Sequence, residues 1–334
     1  MHVTPVAWIV TLTVLTAVLA LDVRHMMKHP HEPSMKECAL AITGFVSAAI
    51  LFGVGIGLFA HPLPESGKTS WHYAVEFFSG YLTEYSLSID NLFVFIIILG
   101  SMGVPRKYQQ FALMCGIILA LVFRGIFILA GAALIERFAW VFFIFGAFLL
   151  YTGIKLVIDY RKHDSEEDSH NEADTALMRF VKRVVPSTEE YHGTHLSVKI
   201  DGKRLFTPLF FVIATLGSVD IMFALDSIPA IFGLTQEPYL VFTANFFALM
   251  GLRQLYFLLG NLLQRLVYLS LGLAFILCFI AVKLVLHAMH HYHWIGFEVP
   301  TLLSLLVIVL TIAITAVLSL LKTKRKNDDT PIEA

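Results

Sequence analysis

Glu84-Tyr-Ser-Leu-Ser-Ile-Asp90-Asn91-Leu-Phe-Val-Phe-Ile-Ile-Ile-Leu99 sets two carboxylates and an amide inside a run that is otherwise as apolar as a membrane span. A second copy follows at Asp220-Ile-Met-Phe-Ala-Leu-Asp226-Ser227-Ile-Pro229-Ala-Ile-Phe-Gly233. Each copy reads acid, five residues, Asp, then a small polar residue. Ionisable side chains at bilayer depth are costly, so they face a partner or a watery cavity and mark a pathway. The pattern points to a membrane transporter whose paired acids hold a hard divalent cation.

Composition agrees. The 334 residues are 57% apolar and 15% charged, where a soluble domain carries about 25% charged residues. The mean hydropathy is +0.75. A net charge of −1 gives no global field that would recruit nucleic acid. Cys38, Cys115 and Cys278 show no CxxC spacing and read as core thiols, not as a disulfide frame or a zinc site. The first apolar run, Pro5 to Leu21, lacks a basic segment before it and is followed by Arg24 and Lys28. It reads as a retained span and not as a cleaved signal.

Spans need about 20 mostly apolar residues. Nine are expected, over 5–21, 39–60, 72–100, 107–134, 137–158, 207–233, 239–262, 267–288 and 299–321. With the N-terminus outside, 18 Lys and Arg residues fall on the inner segments, against only Lys68 and Arg137 outside. Basic residues mark the cytoplasmic side, so the expectation is N-terminus out and C-terminus in, which needs an odd span count. The one long polar segment, 159–206, reads as an inner linker. It holds a basic amphipathic stretch at 176–185 suited to a membrane surface. A strand, Asp201-Gly202 turn, strand signal follows over 195–206. The histidines at 287, 290, 291 and 293 read either as an interfacial belt or as a metal-gathering vestibule.

More recurs than the acids. Arg124 in the fourth span is matched by Arg253 in the seventh, and Lys155 in the fifth by Lys283 in the eighth. Arg to Lys is 31 residues in one copy and 30 in the other. A three-span unit repeated in tandem returns upside down, which is the inverted repeat of many secondary transporters with a site at the midplane between halves. The chain therefore divides into spans 1–2 (1–71), repeat A (72–158), the linker (159–206), repeat B (207–288), and a last span with a basic tail (289–334). The fold class is all-α and polytopic. Lys155 and Lys283 fall near opposite faces, where each snorkels to its own interface.

The candidate ligands are Asp90, Asp226, Glu84, Asp220, Asn91, Ser227 and Asn245, with Arg124 and Arg253 as charge-compensating or gating cations. Oxygen donors without mid-span histidine suit Mn²⁺, Mg²⁺ or Ca²⁺ over zinc, copper or nickel. Six residues along a straight helix turn about 120° away from alignment, so Glu84 and Asp90 meet on one ion only if the helix unwinds between them. The preferred arrangement pairs Asp90 with Asp226 across the repeats, with Glu84 and Asp220 along the approach. Ser86, Ser88, Gly217 and Pro229 make a break or kink in the acid-bearing helices plausible. The competing explanation is plain charge pairing, since two buried arginines need counter-ions. An arginine could also stand in for the ion as a tethered cation.

Three blocks carry a family resemblance: Glu84-x-Ser-Leu-Ser-Ile-Asp90-Asn91-Leu-Phe-Val-Phe, Phe223-Ala-Leu-Asp226-Ser-Ile-Pro-Ala230, and Ala248-Leu-Met-Gly-Leu-Arg253-x-Leu-Tyr-Phe257. They resemble the signature blocks of the TerC family, and of its Alx-type members most. The resemblance runs over nearly the whole chain. It implies a bacterial-type inner-membrane protein of the LysE-like transporter group, associated with Mn²⁺ efflux and, by older naming, with tellurite resistance. It carries the family's acids to Glu84, Asp90, Asp220 and Asp226, with Asn91 beside them. Where the family pattern has a Glu three residues before Asp220, this chain has Gly217.

The expected activity is secondary export of Mn²⁺, with proton exchange on the same carboxylates and no organic cofactor. A second reading is a membrane partner for metallating or inserting exported proteins, touching a translocon or its clients. A third, a hydrolytic aspartate dyad, lacks any protease motif beside it, so no enzyme is expected.

Overall fold

The structure is a computed structural model that describes residues 1, 3–28, 33–62, 67–138, 140–163, 188, 190–200, 203–259, 268–297 and 299–328; the side chains at 90, 93, 101, 136, 159, 161–163, 200, 203, 259 and 323–328 lie outside that description. The elements are α1 (Pro5–Lys28), α2 (Met35–Phe59), α3 (Ser70–Ser101), α4 (Arg106–Arg137), α5 (Val141–His163), β1 (Ser197–Ile200), β2 (Lys203–Phe206), α6 (Pro208–Phe232), α7 (Pro238–Met250), α8 (Leu252–Leu259), α9 (Leu269–His291) and α10 (Thr301–Asp328). Among the described residues nine stretches are long and apolar enough to cross a membrane, with α7 and α8 sharing one of them. The expected all-helical, nine-span architecture stands.

Helix ends follow local chemistry. Ser34 opens α2 through a capping box: its hydroxyl accepts from the Glu37 amide at 3.3 Å, and the Glu37 carboxylate accepts from the Ser34 amide at 2.7 Å. Pro208 and Pro238 sit in the first turns of α6 and α7, where a missing amide hydrogen costs nothing. Gly251 separates α7 from α8. The seventh span is thus two helical pieces, a break that was expected in the acid-bearing helices instead.

Those acid-bearing helices run unbroken, α3 through both of its acids and α6 through both of its own. The expected unwinding is absent because the polar residues satisfy themselves within the helix. Ser79 and Ser86 donate to the Val75 and Leu82 carbonyls at 2.7 Å each. Thr215 and Ser218 do the same to Phe211 and Ala214. Such back-bonding occupies hydroxyls that would otherwise compete for the backbone. Pro229 lies within α6, near its last turn.

In lipid there is no water-exclusion force between helices, so close packing of small residues decides which helices meet. α3 lies against α7, α4 against α6, and α5 against α9. Each helix of the first triplet therefore packs on the second in the exchanged order that a pseudo-twofold relation produces. The α5–α9 contact shows the device. A Cβ at Gly153 would stand 2.7 Å from the Cys278 sulfur, and one at Gly146 2.8 Å from Val285. Both glycines let the helices approach to backbone distance. Outside this core, α1 and α10 expose Val6, Ile9, Leu310 and Leu321, as lipid-facing helices do.

The two strands expected over 195–206 pair antiparallel over 197–200 and 203–206, with Ser197 opposite Phe206 and Ile200 opposite Lys203. The Asp201-Gly202 turn lies outside the described residues. Thr207 ties the base of the pair, donating through its hydroxyl to the His195 carbonyl at 2.7 Å. Tyr191 donates to the Met102 carbonyl at 2.9 Å, fastening the segment to the α3–α4 turn. Burial raises the Tyr191 phenol above its ordinary value, which keeps it a donor. The 176–185 stretch lies outside the described residues.

Candidate cation site at the crossing of α3, α4, α6 and α7

Arg124 stands at the centre of the bundle, 1% exposed. It sits halfway along α4 and pairs with the Glu84 carboxylate of α3. From α6, Asp220 accepts from its Nη2 at 3.1 Å and from its Nε at 3.4 Å. Ser227 Oγ accepts from Nη1 at 3.2 Å, and Asn245 Oδ1 on α7 accepts from the same nitrogen at 2.9 Å. Ser88 donates to Glu84 at 3.4 Å. Glu84, Asp220, Ser227 and Asn245 are all buried. Four of the seven ligand candidates thus converge on a single guanidinium.

Helix arithmetic explains which acids meet. Asp220 and Ser227 are seven residues apart, about two full turns, so on an unbroken α6 they share a face. Asp226 is six residues from Asp220 and turns aside. It accepts from Thr152 of α5 at 3.1 Å, with the Lys155 charge close enough to act on it. The expected arrangement sets Glu84 and Asp220 along the approach, and its Asp90–Asp226 pair rests on a side chain, that of Asp90 on α3, outside the description. Glu84 and Asp220 instead hold the centre, and Asp226 sits to one side. Asn91, one residue on from Asp90, is buried.

Arg253 does not mirror Arg124. It donates to Asp22 of α1 at 2.7 Å, a residue just past the apolar run of the first span. The cation expected to serve the repeat acids pairs outside both repeats, because Arg253 falls in α8, beyond the Gly251 break, and not at mid-span. Gly217 has a packing reason: a Cβ there would lie 3.2 Å from Leu119 on α4. A longer side chain at this position, one turn from Asp220, would have to displace the Leu119 side chain.

The polar ledger at the centre is uneven. One Glu84 oxygen (Oε2), the Asn245 Nδ2 and the Thr83 Oγ1 are buried without a hydrogen-bond partner. Two carboxylates against one guanidinium leave an excess negative charge. The orphaned oxygen and the all-oxygen set around Arg124 fit a hard divalent cation as cargo. Among the described residues no three His, Cys, Asp or Glu side chains gather as a metal set; at this crossing the neutral oxygens of Ser227 and Asn245 accompany the two carboxylates.

At the far end of α9, His287 lies edge-on to Phe142 with ring centres 5.0 Å apart and touches Gln236 at 2.6 Å. Tyr292 and Trp294 both pack on Phe143. Rings and a histidine gather at this span end, as they would in an interfacial belt. One functional candidate escaped the sequence reading. Glu76, 2% exposed, accepts from Lys68 and from Thr235 at 2.6 Å each. Its signal was available, a Glu in the second turn of an apolar helix, yet neighbouring His72 and Lys68 make it look like an interface residue.

Fold and site together define a polytopic α-helical membrane protein with interlocked helix triplets and a buried carboxylate–arginine centre. The sequence model for the integral membrane protein TerC family matches residues 69–327, and the chain belongs to that family. It is 43% identical over 284 residues to an uncharacterized membrane protein of Mycobacterium tuberculosis, covering 85% of this chain and 68% of that one. It is 38% identical over 296 residues to the chloroplastic thylakoid membrane protein TERC of Arabidopsis thaliana, covering 89% and 71%. Alx of Escherichia coli (strain K12), whose name proposes a membrane-bound redox modulator, is 35% identical over 289 residues, covering 86% and 88%. No solved structure matches the chain.

Proposed function

We propose that this TerC-family protein is a secondary transporter that exports a divalent cation, Mn²⁺ first among the candidates, across a bacterial-type inner membrane. The protein carries its cargo and does not transform it. The observation behind this reading is the Arg124 cluster: Glu84, Asp220, Ser227 and Asn245 present oxygens to one buried guanidinium, and a further Glu84 oxygen is left over. Those oxygens come from three helices of both repeats, where an alternating-access site belongs. Arg124 acts as a tethered cation. It fills the site when no ion is bound and withdraws when one arrives, so the two carboxylates are never left bare. Asp226, set apart by Thr152, is placed to carry the exchanged proton.

The redox role in the name of Alx would call for thiol chemistry or a bound cofactor. The cysteines here, Cys38, Cys115 and Cys278, are free and lie on α2, α4 and α9. Oxygen chemistry at mid-bilayer supports cation movement more directly. The test is Mn²⁺ flux in inverted membrane vesicles. Glu84→Gln and Asp220→Asn should each abolish it while leaving the protein in the membrane. Unchanged flux in both variants would remove the reading.

A further inference from the structure

We infer that Glu76 forms a second, weaker station for the same cation, in a cavity at the end of the bundle opposite the 197–206 hairpin; this rests on the cation-transport reading. The cavity has a volume of about 440 Å³ and is lined by Lys68, His72, Glu76, Thr235, Lys283 and His287 among others. A divalent ion with six waters, at about 30 Å³ each, occupies roughly 180 Å³, so the cavity accepts it still hydrated.

Glu76 repeats the design of Glu84. Each is a buried carboxylate on α3, each is held by a cationic side chain, and each draws a hydroxyl hydrogen bond. For Glu76 the cation is Lys68, with Nζ at 2.6 Å, the hydroxyl is that of Thr235, and His72 Nε2 lies at 3.5 Å. Lys68 lies in the loop before α3 with its side chain 38% exposed, so it can swing out where Arg124 must move within the core.

The two stations are connected. Glu76, Gly80 and Glu84 are spaced four and four along α3, which places them on one face, about 12 Å from first to last. Between them α3 packs closely on α6 and α7. A Cβ at Gly80 would stand 3.3 Å from Ile231 and 3.5 Å from Ala244. Beside that contact Thr83, fully buried, has a hydroxyl with no partner, an oxygen available to an ion in passage. A path of this kind needs binding weak enough to release the ion at its mouth. Lys68 pairs with Glu76 and the N-terminal ammonium of Met1 with Glu237, and Lys283 also lines the cavity wall, whereas the centre keeps its negative excess. The central site therefore captures and the Glu76 site hands the ion on.

The experiment counts Mn²⁺ bound to the purified full chain by the loss of free-ion paramagnetic signal. The wild type should show a tighter and a weaker class. Glu76→Gln, which keeps an acceptor for Thr235, should remove the weaker class alone. Glu84→Gln should remove the tighter class alone. Lys68→Gln, which removes the cation held against Glu76, should tighten the weaker class several-fold, which a purely structural ion pair would not do. A weaker class that is missing, or unmoved by both Glu76→Gln and Lys68→Gln, overturns the second station and leaves the central site standing. No Mn²⁺ binding at all to the wild type overturns both.

Discussion

At the scale of single residues, Arg124 decides what the centre is. It is wholly buried between two carboxylates. Removing one partner of a buried pair leaves an uncompensated charge and costs about 3–5 kcal/mol. Arg124→Gln should therefore lower the thermal unfolding temperature clearly. If the guanidinium stands in for the ion, Mn²⁺ should then raise the unfolding temperature more in the variant than in the wild type, because the cation no longer displaces a tethered competitor. A variant that loses stability and gains no Mn²⁺ response would make the cluster structural only. A second prediction concerns Asp22. Asp22→Asn leaves Arg253 buried, with its Nε and Nη1 already lacking partners. The protein should lose stability, on the order of 1–3 kcal/mol for an unsatisfied buried group, while central Mn²⁺ binding persists. Binding lost along with stability would show that Arg253 serves the centre after all. The candidate residues themselves were legible, since acids at membrane depth announce themselves. Which of them meet was legible only in part. The seven-residue spacing of Asp220 and Ser227 was there to read, but it identifies a shared face only once α6 is known to run unbroken. Arg253 misled because equal spacing in a repeat conceals that its helix has broken at Gly251.

At the scale of elements, hydropathy located all nine spans because nothing but a helix satisfies its backbone in lipid. Their ends were less readable. α1 continues through Asp22 to Lys28, beyond the apolar run, since helix propensity does not stop where hydropathy does. The pairing of α5 with α9 could not be read at all. It depends on Gly146 and Gly153 falling seven residues apart on the face that meets Ala281, Val285 and Cys278, and small residues say nothing about their partner. That contact yields a third prediction. Gly153→Leu drives a side chain into the Cys278 sulfur and the Ala274 carbonyl, which would lie 2.7 and 3.1 Å from the new Cβ. Overpacking of this kind costs about 1–3 kcal/mol or more. Since α9 also carries Lys283 and His287 into the Glu76 cavity, forcing α5 and α9 apart should slow Mn²⁺ flux beyond what the stability loss explains. Flux measured well below the variant's unfolding temperature separates the two effects. Normal flux there would mean that the α5–α9 contact is scaffold alone.

At the scale of the whole molecule, the interlocking of the two triplets and the charge asymmetry make a joint statement about sidedness. Nine candidate spans among the described residues are an odd number, which fits the expectation of termini on opposite faces. Among the described residues Arg106, Lys107, Lys199 and Arg204 lie by the α3–α4 turn and the 197–206 strand pair, while Lys68 and Lys283 line the cavity at the opposite end. Inward retention of short basic segments is strong when the excess is as lopsided as the sequence leads one to expect. On the proposed orientation, N-terminus out, the Glu76 cavity opens outward and the Asp22–Arg253 pair lies on the inner side. This arrangement is testable without any transport assay. A cysteine placed at position 68 in a cysteine-free background should react in intact cells with a thiol reagent that cannot cross the membrane, whereas one at position 199, in β1, should react only after the membrane is opened. The opposite pattern would turn the molecule over. It would make the Glu76 cavity the cytoplasmic mouth and reverse capture and release between the two stations. Because an inverted repeat gives nearly the same helix order from either face, only charge distinguishes the two orientations. On the transport reading, the direction of cargo movement therefore depends on the placement of lysines and arginines in the loops.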